Sequence, residues 1–402
     1  MLHKLWIGPA LAVLTATALT AGSATAESGI DLEKKVVTIG AFTPVTGPVP
    51  FYAVLTHAAE SYFKMLNESG EVDGWTFNYI TKDDGYDPAR SVATARSLVE
   101  DDDIFVLSAP IGTASNVAVI PYAKEAGVPI IGPVGGSSLF FEVTAVFPLL
   151  PDYGWSAGSS AEYAANGLNH TKIALLWEND ELGKSAKRGF DLVMADLGIE
   201  PVESIPFDVK TTNFSAHIRR IQNSGAESVL LYGSNANLAA ALKTADLQGV
   251  DVSWFAPFFT ADPSTLKLAG DLLEGVYFSS WLLPVSSDEP EVVAYRESIA
   301  KYFPNDPIGV LGLNGWSNAA LFHKGFELLL ESGDEITREN LVKAMNTMTD
   351  AVVGGARGVT FSADDHRGTR QEGIIQYKNG EFVLVREFQP YPDVAFNAAK
   401  SE

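Results

Sequence analysis

The sequence predicts an α/β protein made of two lobes, each a doubly wound parallel sheet, with a C-terminal β-hairpin. Three observations predict it. Short apolar runs of strand length alternate with helical patterns along most of the chain. The strand–helix units are too numerous for one doubly wound sheet. The tail then changes pattern: two β-type runs flank Lys378-Asn379-Gly380, and Asn-Gly between such runs is a strong hairpin signal.

Met1–Ala26 reads as a secretory signal peptide. Lys4 supplies the positive start, Leu5–Ala21 is almost uninterruptedly apolar, and Ala24-Thr25-Ala26 is a small-residue cleavage motif. The apolar stretch is short for a bilayer span of about 20 residues, and Gly8-Pro9 weakens a continuous helix. No Cys stands at the junction to carry a lipid anchor. The rest of the chain is therefore expected to be soluble and to act outside the cytoplasm, without being embedded in a membrane.

Val36–Phe42 reads as the first strand, followed by helix to Asn67 with Gly70 as its stop. Phe77–Lys82 is the next strand. Asp87-Pro88 opens a helix as N-cap and N1, and Val92, Ala95, Leu98 and Val99 mark its buried face. Ile104–Ala109 and Val128–Val134 are further β-type runs, with the helix Thr113–Glu125 between them. Ile173–Trp177, Val202–Phe207, Val229–Tyr232 and Val252–Ala256 continue the series, each followed by a helical pattern. Such strands are apolar on both faces, the mark of a sheet covered on both sides. The chain is expected to cross between lobes near Phe147–Gly154 and again near Ser279–Pro284, so that the helices Glu291–Phe303 and Gly309–Leu330 rejoin the first lobe. The expected division is 31–150 plus 283–357 for the first lobe and 151–282 plus 358–395 for the second.

A formal charge of −22 opposes binding to nucleic acid or an anionic membrane. It does not forbid an anionic small ligand in a cleft, where local dipoles dominate; solubility or a saline habitat is the bland account of the acidity. The absence of cysteine excludes disulfides and thiolate chemistry.

Catalytic motifs are missing. Leu182-Gly183-Lys184-Ser185 ends like a phosphate-binding loop, but Glu178 stands where the first glycine is required. No Gly-x-Ser-x-Gly elbow is found, and the six histidines are scattered without His-x-x-x-His spacing. Asp364-Asp365-His366 lacks further metal ligands and reads as a polar turn before the hairpin. An enzyme is disfavoured, and no cofactor or metal is implied.

The informative loops follow strands, where open α/β sheets bind ligands. Pro110-Ile111-Gly112-Thr113-Ala114-Ser115 opens a helix, and Gly132-Pro133-Val134-Gly135-Gly136-Ser137-Ser138 follows the next strand. Small residues and hydroxyls at a helix start suit a carboxylate. Either loop alone is ordinary turn chemistry; two on adjacent strands point to a ligand site.

Ile39-Gly40-Ala41-Phe42-Thr43-Pro44-Val45-Thr46-Gly47-Pro48, Asp83-Asp84-Gly85-Tyr86-Asp87-Pro88-Ala89-Arg90 and Ile120-Pro121-Tyr122-Ala123-Lys124-Glu125-Ala126-Gly127-Val128-Pro129 carry a resemblance. With the loops above, they make the chain resemble the periplasmic solute-binding proteins of branched-chain-amino-acid-type ABC importers, over nearly all its length after the signal peptide. The resemblance implies a type I periplasmic binding fold, with two lobes, three crossing segments and hinge closure on one small-molecule solute. It also implies delivery to an inner-membrane ABC permease with a cytoplasmic ATPase; a monomer is the expected state. The ligand carboxylate would meet Thr113 and Ala114 and the loop at Gly135, Gly136 and Ser137, with Tyr52 at the cleft mouth. The second lobe departs from the family. Members that bind amino acids place an acid after a proline at a strand end, whereas here Pro257 is followed by Phe258. A phenyl ring cannot neutralise a buried ammonium. Asn235 stands where a tyrosine often sits, and Trp155 is a candidate for the cleft wall. An apolar or aromatic organic acid, or a small amide, is the expected solute. Asp262 or Glu178 would have to supply the charge for an amino acid. A ligand sensor of the same fold and an exported hydrolase remain as the other functional classes.

Overall fold

The computed structural model describes residues 27–398; the signal-peptide segment lies outside them. The first sheet comprises β1 (Ile30–Asp31), β2 (Val36–Thr43), β3 (Thr76–Asp83), β4 (Val106–Ser108), β5 (Ile130–Ile131) and β6 (Val146–Phe147). Its order is β3-β2-β4-β5-β6, all parallel, with β1 antiparallel against the start of β2. The helices α1 (Ala53–Ser69), α2 (Pro88–Glu100) and α3 (Thr113–Glu125) connect these strands. The second sheet repeats the order as β8-β7-β9-β10-β11, from β7 (Ile173–Glu178), β8 (Glu203–Phe207), β9 (Ser228–Tyr232), β10 (Ser253–Ala256) and β11 (Tyr277–Ser280). Its helices are α4 (Tyr153–Glu162), α5 (Glu181–Asp196), α6 (Ser215–Ser224), α7 (Asn235–Gln248) and α8 (Pro263–Ala269).

The chain then returns to the first sheet. α9 (Pro290–Tyr302) and α10 (Val310–Ser332) pack on α1, and α11 (Arg338–Met345) packs on α10. A small ribbon of β12 (Ala351–Val353) and β13 (Ala356–Val359) follows. Last come β14 (Gln371–Lys378) and β15 (Glu381–Pro390), added antiparallel to the edge of β11, and α12 (Asp393–Ala398) on α5. The chain therefore passes between the sheets three times.

Residue periodicity explains the layers. In β7, Ile173 and Leu175 point into a core shared by α4 and α5, while Ala174 and Leu176 point to α6 and α7. β2 does the same, with Val37 and Ile39 toward α1 and α10 and Phe42 toward α2 and α3. The first of these cores runs from one lobe into the other through Leu150, Tyr153, Phe258 and Trp281.

Local signals hold where backbone chemistry sets them. Asp87 caps α2, its carboxylate accepting the Ala89 and Arg90 N–H groups at 2.9 and 3.1 Å. Gly70 ends α1 in the left-handed region at φ 65°. Asn379 and Gly380 both take positive φ, 54° and 87°, as a two-residue hairpin loop with strand-matching twist requires. Other expectations are corrected. The run Val128–Val134 yields only Ile130–Ile131 as strand, because Pro129 and Pro133 lack donors and Gly132 turns at φ 64°. Val146–Phe147 and Tyr277–Ser280 are strands, the latter ending where the Ser279–Pro284 crossing begins. The turn at Asp364-Asp365-His366 is partly interior. His366 is buried with Nδ1 on the Val146 carbonyl at 2.8 Å, and Asp365 pairs with Arg367 at 2.6 Å.

Candidate ligand-binding cleft

In each sheet the strand order reverses beside the first strand, between β2 and β4 and between β7 and β9. Loops leaving the carboxyl ends of these strands form a crevice at that switch point. The two crevices face each other across a narrow, partly open cavity of about 30 Å³. The first lobe lines it with Tyr52, Tyr86, Gly112, Thr113, Val134 and Leu150, joined by Leu311 and Asn314 from α10. The second lobe adds Leu182, Phe258 and Phe259, and Tyr153 enters from the start of α4.

Gly112 is the N-cap of α3, at φ 111°, and offers no side-chain acceptor to the helix start. The first N–H groups of an α-helix have no partner within it, and together with the helix dipole they attract an anion. Thr113 adds its hydroxyl beside that of Tyr153. Burial pushes the Tyr52, Tyr86 and Tyr153 hydroxyls well above the usual phenol range, so all three are neutral donors. Among the described residues that line the cavity, none carries a charge.

The acids nearby are occupied. Asp262 is buried and caps α8, accepting the Ser264 N–H on Oδ1 at 3.0 Å. Its Oδ2 accepts the Leu311 N–H of the other lobe at 3.2 Å. Glu178 is buried at the end of β7, and burial followed by the neighbouring Asp180 pushes its carboxyl far above the usual range. Asp180 caps α5 through the Gly183 N–H at 3.1 Å.

Polar contacts tie the lobes at the cleft. Besides Leu311 to Asp262, the Ser137 hydroxyl donates to Glu181 Oε1 at 3.1 Å and Arg188 Nη2 donates to Ser138 Oγ at 2.8 Å.

Of the residues singled out from sequence, Tyr52, Thr113 and Phe258 line the cavity. Gly135 stands behind Thr113: a Cβ there would come within 2.8 Å of the Thr113 Cα. Gly136 likewise abuts the Pro151 carbonyl and Tyr153. The remaining four do not reach the cavity. Ala114 is exposed on α3. Ser137 is spent on capping the turn at Leu139 and on Glu181. Asn235 is buried and donates to Thr265 Oγ1 at 2.6 Å, tying α7 to α8. Trp155 points away, stacked on Phe141 with centroids 4.7 Å apart and packed on Phe396 and Tyr391.

Tyr86, Tyr153, Leu182, Phe259, Leu311 and Asn314 were not singled out. Tyr86 lies inside the Asp83–Arg90 motif and Tyr153 inside the expected crossing, so position at a strand end could have found both. Leu311 and Asn314 sit in a long, mostly buried helix, which carries no such signal.

A family model described as periplasmic binding protein matches residues 36–381. The leucine-, isoleucine-, valine-, threonine- and alanine-binding protein of Pseudomonas aeruginosa is 25% identical over 304 residues, spanning 74% of this chain and 80% of that protein. A branched-chain amino acid ABC transporter structure from Thermus thermophilus with bound valine superposes with a TM-score of 0.81 at 23% identity, covering 94% of this chain and 100% of the other. A solute-binding protein of an ABC transporter from R. palustris, in complex with benzoate, gives 0.77 at 18% identity, covering 88% and 97%.

Proposed function

Because this chain belongs to the periplasmic binding protein family, in its branched-chain-amino-acid-type group, we propose that it captures a small carboxylate-bearing solute with an apolar body for an ABC importer. The two lobes, 31–150 plus 283–357 and 151–282 plus 358–395, close on the solute and present it to an inner-membrane permease whose ATPase works in the cytoplasm. Residues 1–26 act as the export signal, and the protein needs no catalytic group.

One observation carries the ligand class. The cavity offers helix-start N–H groups and neutral hydroxyls on one side and Phe258, Phe259 and Leu182 on the other, with no charged side chain on the described wall. The hydroxyls and N–H groups suit a carboxylate. An ammonium would lie unpaired in an apolar site, at a cost of several kcal/mol. Asp262 is engaged by two N–H groups, and Glu178 is held toward its neutral form. The aromatic and aliphatic organic acids therefore fit better than α-amino acids. The benzoate-bound relative in fold is in keeping with that class.

Calorimetry of the mature protein against benzoate, hexanoate, leucine and valine tests the proposal. Binding of an organic acid at least about tenfold tighter than leucine, worth about 1.4 kcal/mol, is expected. Tight leucine binding without organic-acid binding overturns it. Mass spectrometry of copurifying small molecules gives an independent answer.

A further inference from the structure

Tyr86 lies in the loop between β3 and α2 with φ 59°, in the left-handed region that a bulky aromatic residue rarely occupies. The surroundings hold it there. Asp84 Oδ1 accepts the Tyr86 N–H at 3.0 Å. Asp84 is itself buried, and its Oδ2 accepts the Ser91 hydroxyl at 2.6 Å and the Ser115 hydroxyl at 3.4 Å. That carboxylate thus links the loop to α2 and α3.

The ring is set edge-on to Tyr52, with centroids 6.1 Å apart and planes at 62°. It passes so close to Gly112 that a Cβ there would lie 3.1 Å from the Tyr86 Cε2. Tyr153, from the other lobe, shares the cavity wall with it, and Glu178 and Asp180 are near enough to act electrostatically on its hydroxyl. The ring therefore forms the cavity wall beside the α3 start, in a cavity whose other side is the second lobe. Backbone strain of this kind persists where the surrounding structure over-determines it, and such positions cluster at ligand sites.

We propose that Tyr86 is a specificity-determining residue that limits the length of the solute, its ring occupying the space a longer acid would need. This rests on the organic-acid reading of the cleft. Removing the ring lengthens the cavity beside the carboxylate-binding helix start, while the anion contacts of α3 and Thr113 are kept.

The test uses Tyr86→Gly, which keeps the left-handed backbone without strain, and Tyr86→Phe, which keeps the ring and removes the hydroxyl. Calorimetry compares benzoate with 3-phenylpropanoate and hexanoate with decanoate. Wild type and Tyr86→Phe are expected to favour the shorter acid of each pair by about tenfold or more, the scale on which apolar pockets discriminate size. Tyr86→Gly is expected to abolish or invert that preference, with circular dichroism confirming the fold. Tyr86→Asn, which also tolerates this backbone, replaces the glycine variant if it does not fold. An unchanged preference in the ring-deleted protein overturns the proposal while leaving the ligand class intact. Failure of wild type to bind any of the acids overturns the ligand class, and the length limit with it.

Discussion

Gly309→Ala tests lobe closure with one methyl group. Gly309 is the N-cap of α10 at φ −151°, an extended backbone open to any residue, so alanine does not strain its own lobe. The added Cβ would lie 2.3 Å from Asp262 Oδ2 and 2.7 Å from Pro263 Cδ, both on the other lobe. Relief to van der Waals range, about 3.5 Å, parts the lobes by about 1 Å. That displacement breaks the Leu311 N–H bond to Asp262, which spans 3.2 Å when closed. A hydrogen bond to a carboxyl group contributes about 1–3 kcal/mol, depending on its charge. Lost from the closed state alone, it weakens ligand affinity by about 5- to 150-fold. Calorimetry reads the affinity, and thermal melting without ligand reads the cost to the lobes, expected to be within about 2 °C of wild type. An affinity within about twofold of wild type, a difference under 0.5 kcal/mol, would refute the closure argument. So would a large fall in melting temperature without ligand, because the clash would then not be confined to the closed form.

Three further outcomes follow from the same geometry. Gly135→Ala drives a Cβ to within 2.8 Å of Thr113 Cα and 3.0 Å of its Oγ1, so it displaces the helix start and lowers affinity by about tenfold with little change in melting temperature; unchanged affinity would remove the α3 start from the site. Trp155→Ala empties a fully packed aromatic cluster and costs about 3–5 kcal/mol of stability, yet it leaves the order of ligand preference as it was, which calorimetry below the melting range checks. Glu372, buried on β14, has its carboxyl pushed up to about 7 by burial, against the pull of the Ser156 hydroxyl and Arg386. Its contribution to stability is therefore complete below the unfolded value of 4.5 and lost as pH rises through about 7, a change of about 3 kcal/mol. Urea denaturation of Glu372→Gln should lose less stability than wild type between about pH 5 and 8, and parallel curves would count against a proton held there.

Local chemistry made much of the fold legible. Asp87-Pro88 and Asn379-Gly380 act within a few residues, so their signals survive folding unchanged. β7 and β9 were legible because both faces are buried. β5 was overestimated because apolar content says nothing about the donors that Pro129 and Pro133 lack. The cavity was legible only in part. Thr113 and Phe258 stand at strand ends, where the crevice must lie. Ser137 stands in a comparable loop and Asn235 at a comparable helix start, but caps and neighbouring helices claim their side chains. Trp155 is drawn to Phe141 and Phe396, a contact between segments more than two hundred residues apart for Phe396, which no local pattern encodes. Tyr86 was legible by its place at a strand end, but its aim into the cleft depends on a left-handed backbone that its residue type disfavours.

The threefold passage of the chain between the sheets has a consequence for biogenesis. The first sheet is complete at Phe147, but α10, which covers one face, is not made until Val310–Ser332. The second sheet is laid down by Ser280 and then waits for Gln371–Pro390 to pair with its exposed edge at β11. Neither half can seal its core from its own first segment, so a ribosome-bound chain stays short of the native state until Gln371–Pro390 emerge. Contacts of such long sequence separation also slow folding. The late-made segments from Val310 onward thus set the timing of assembly for both halves at once.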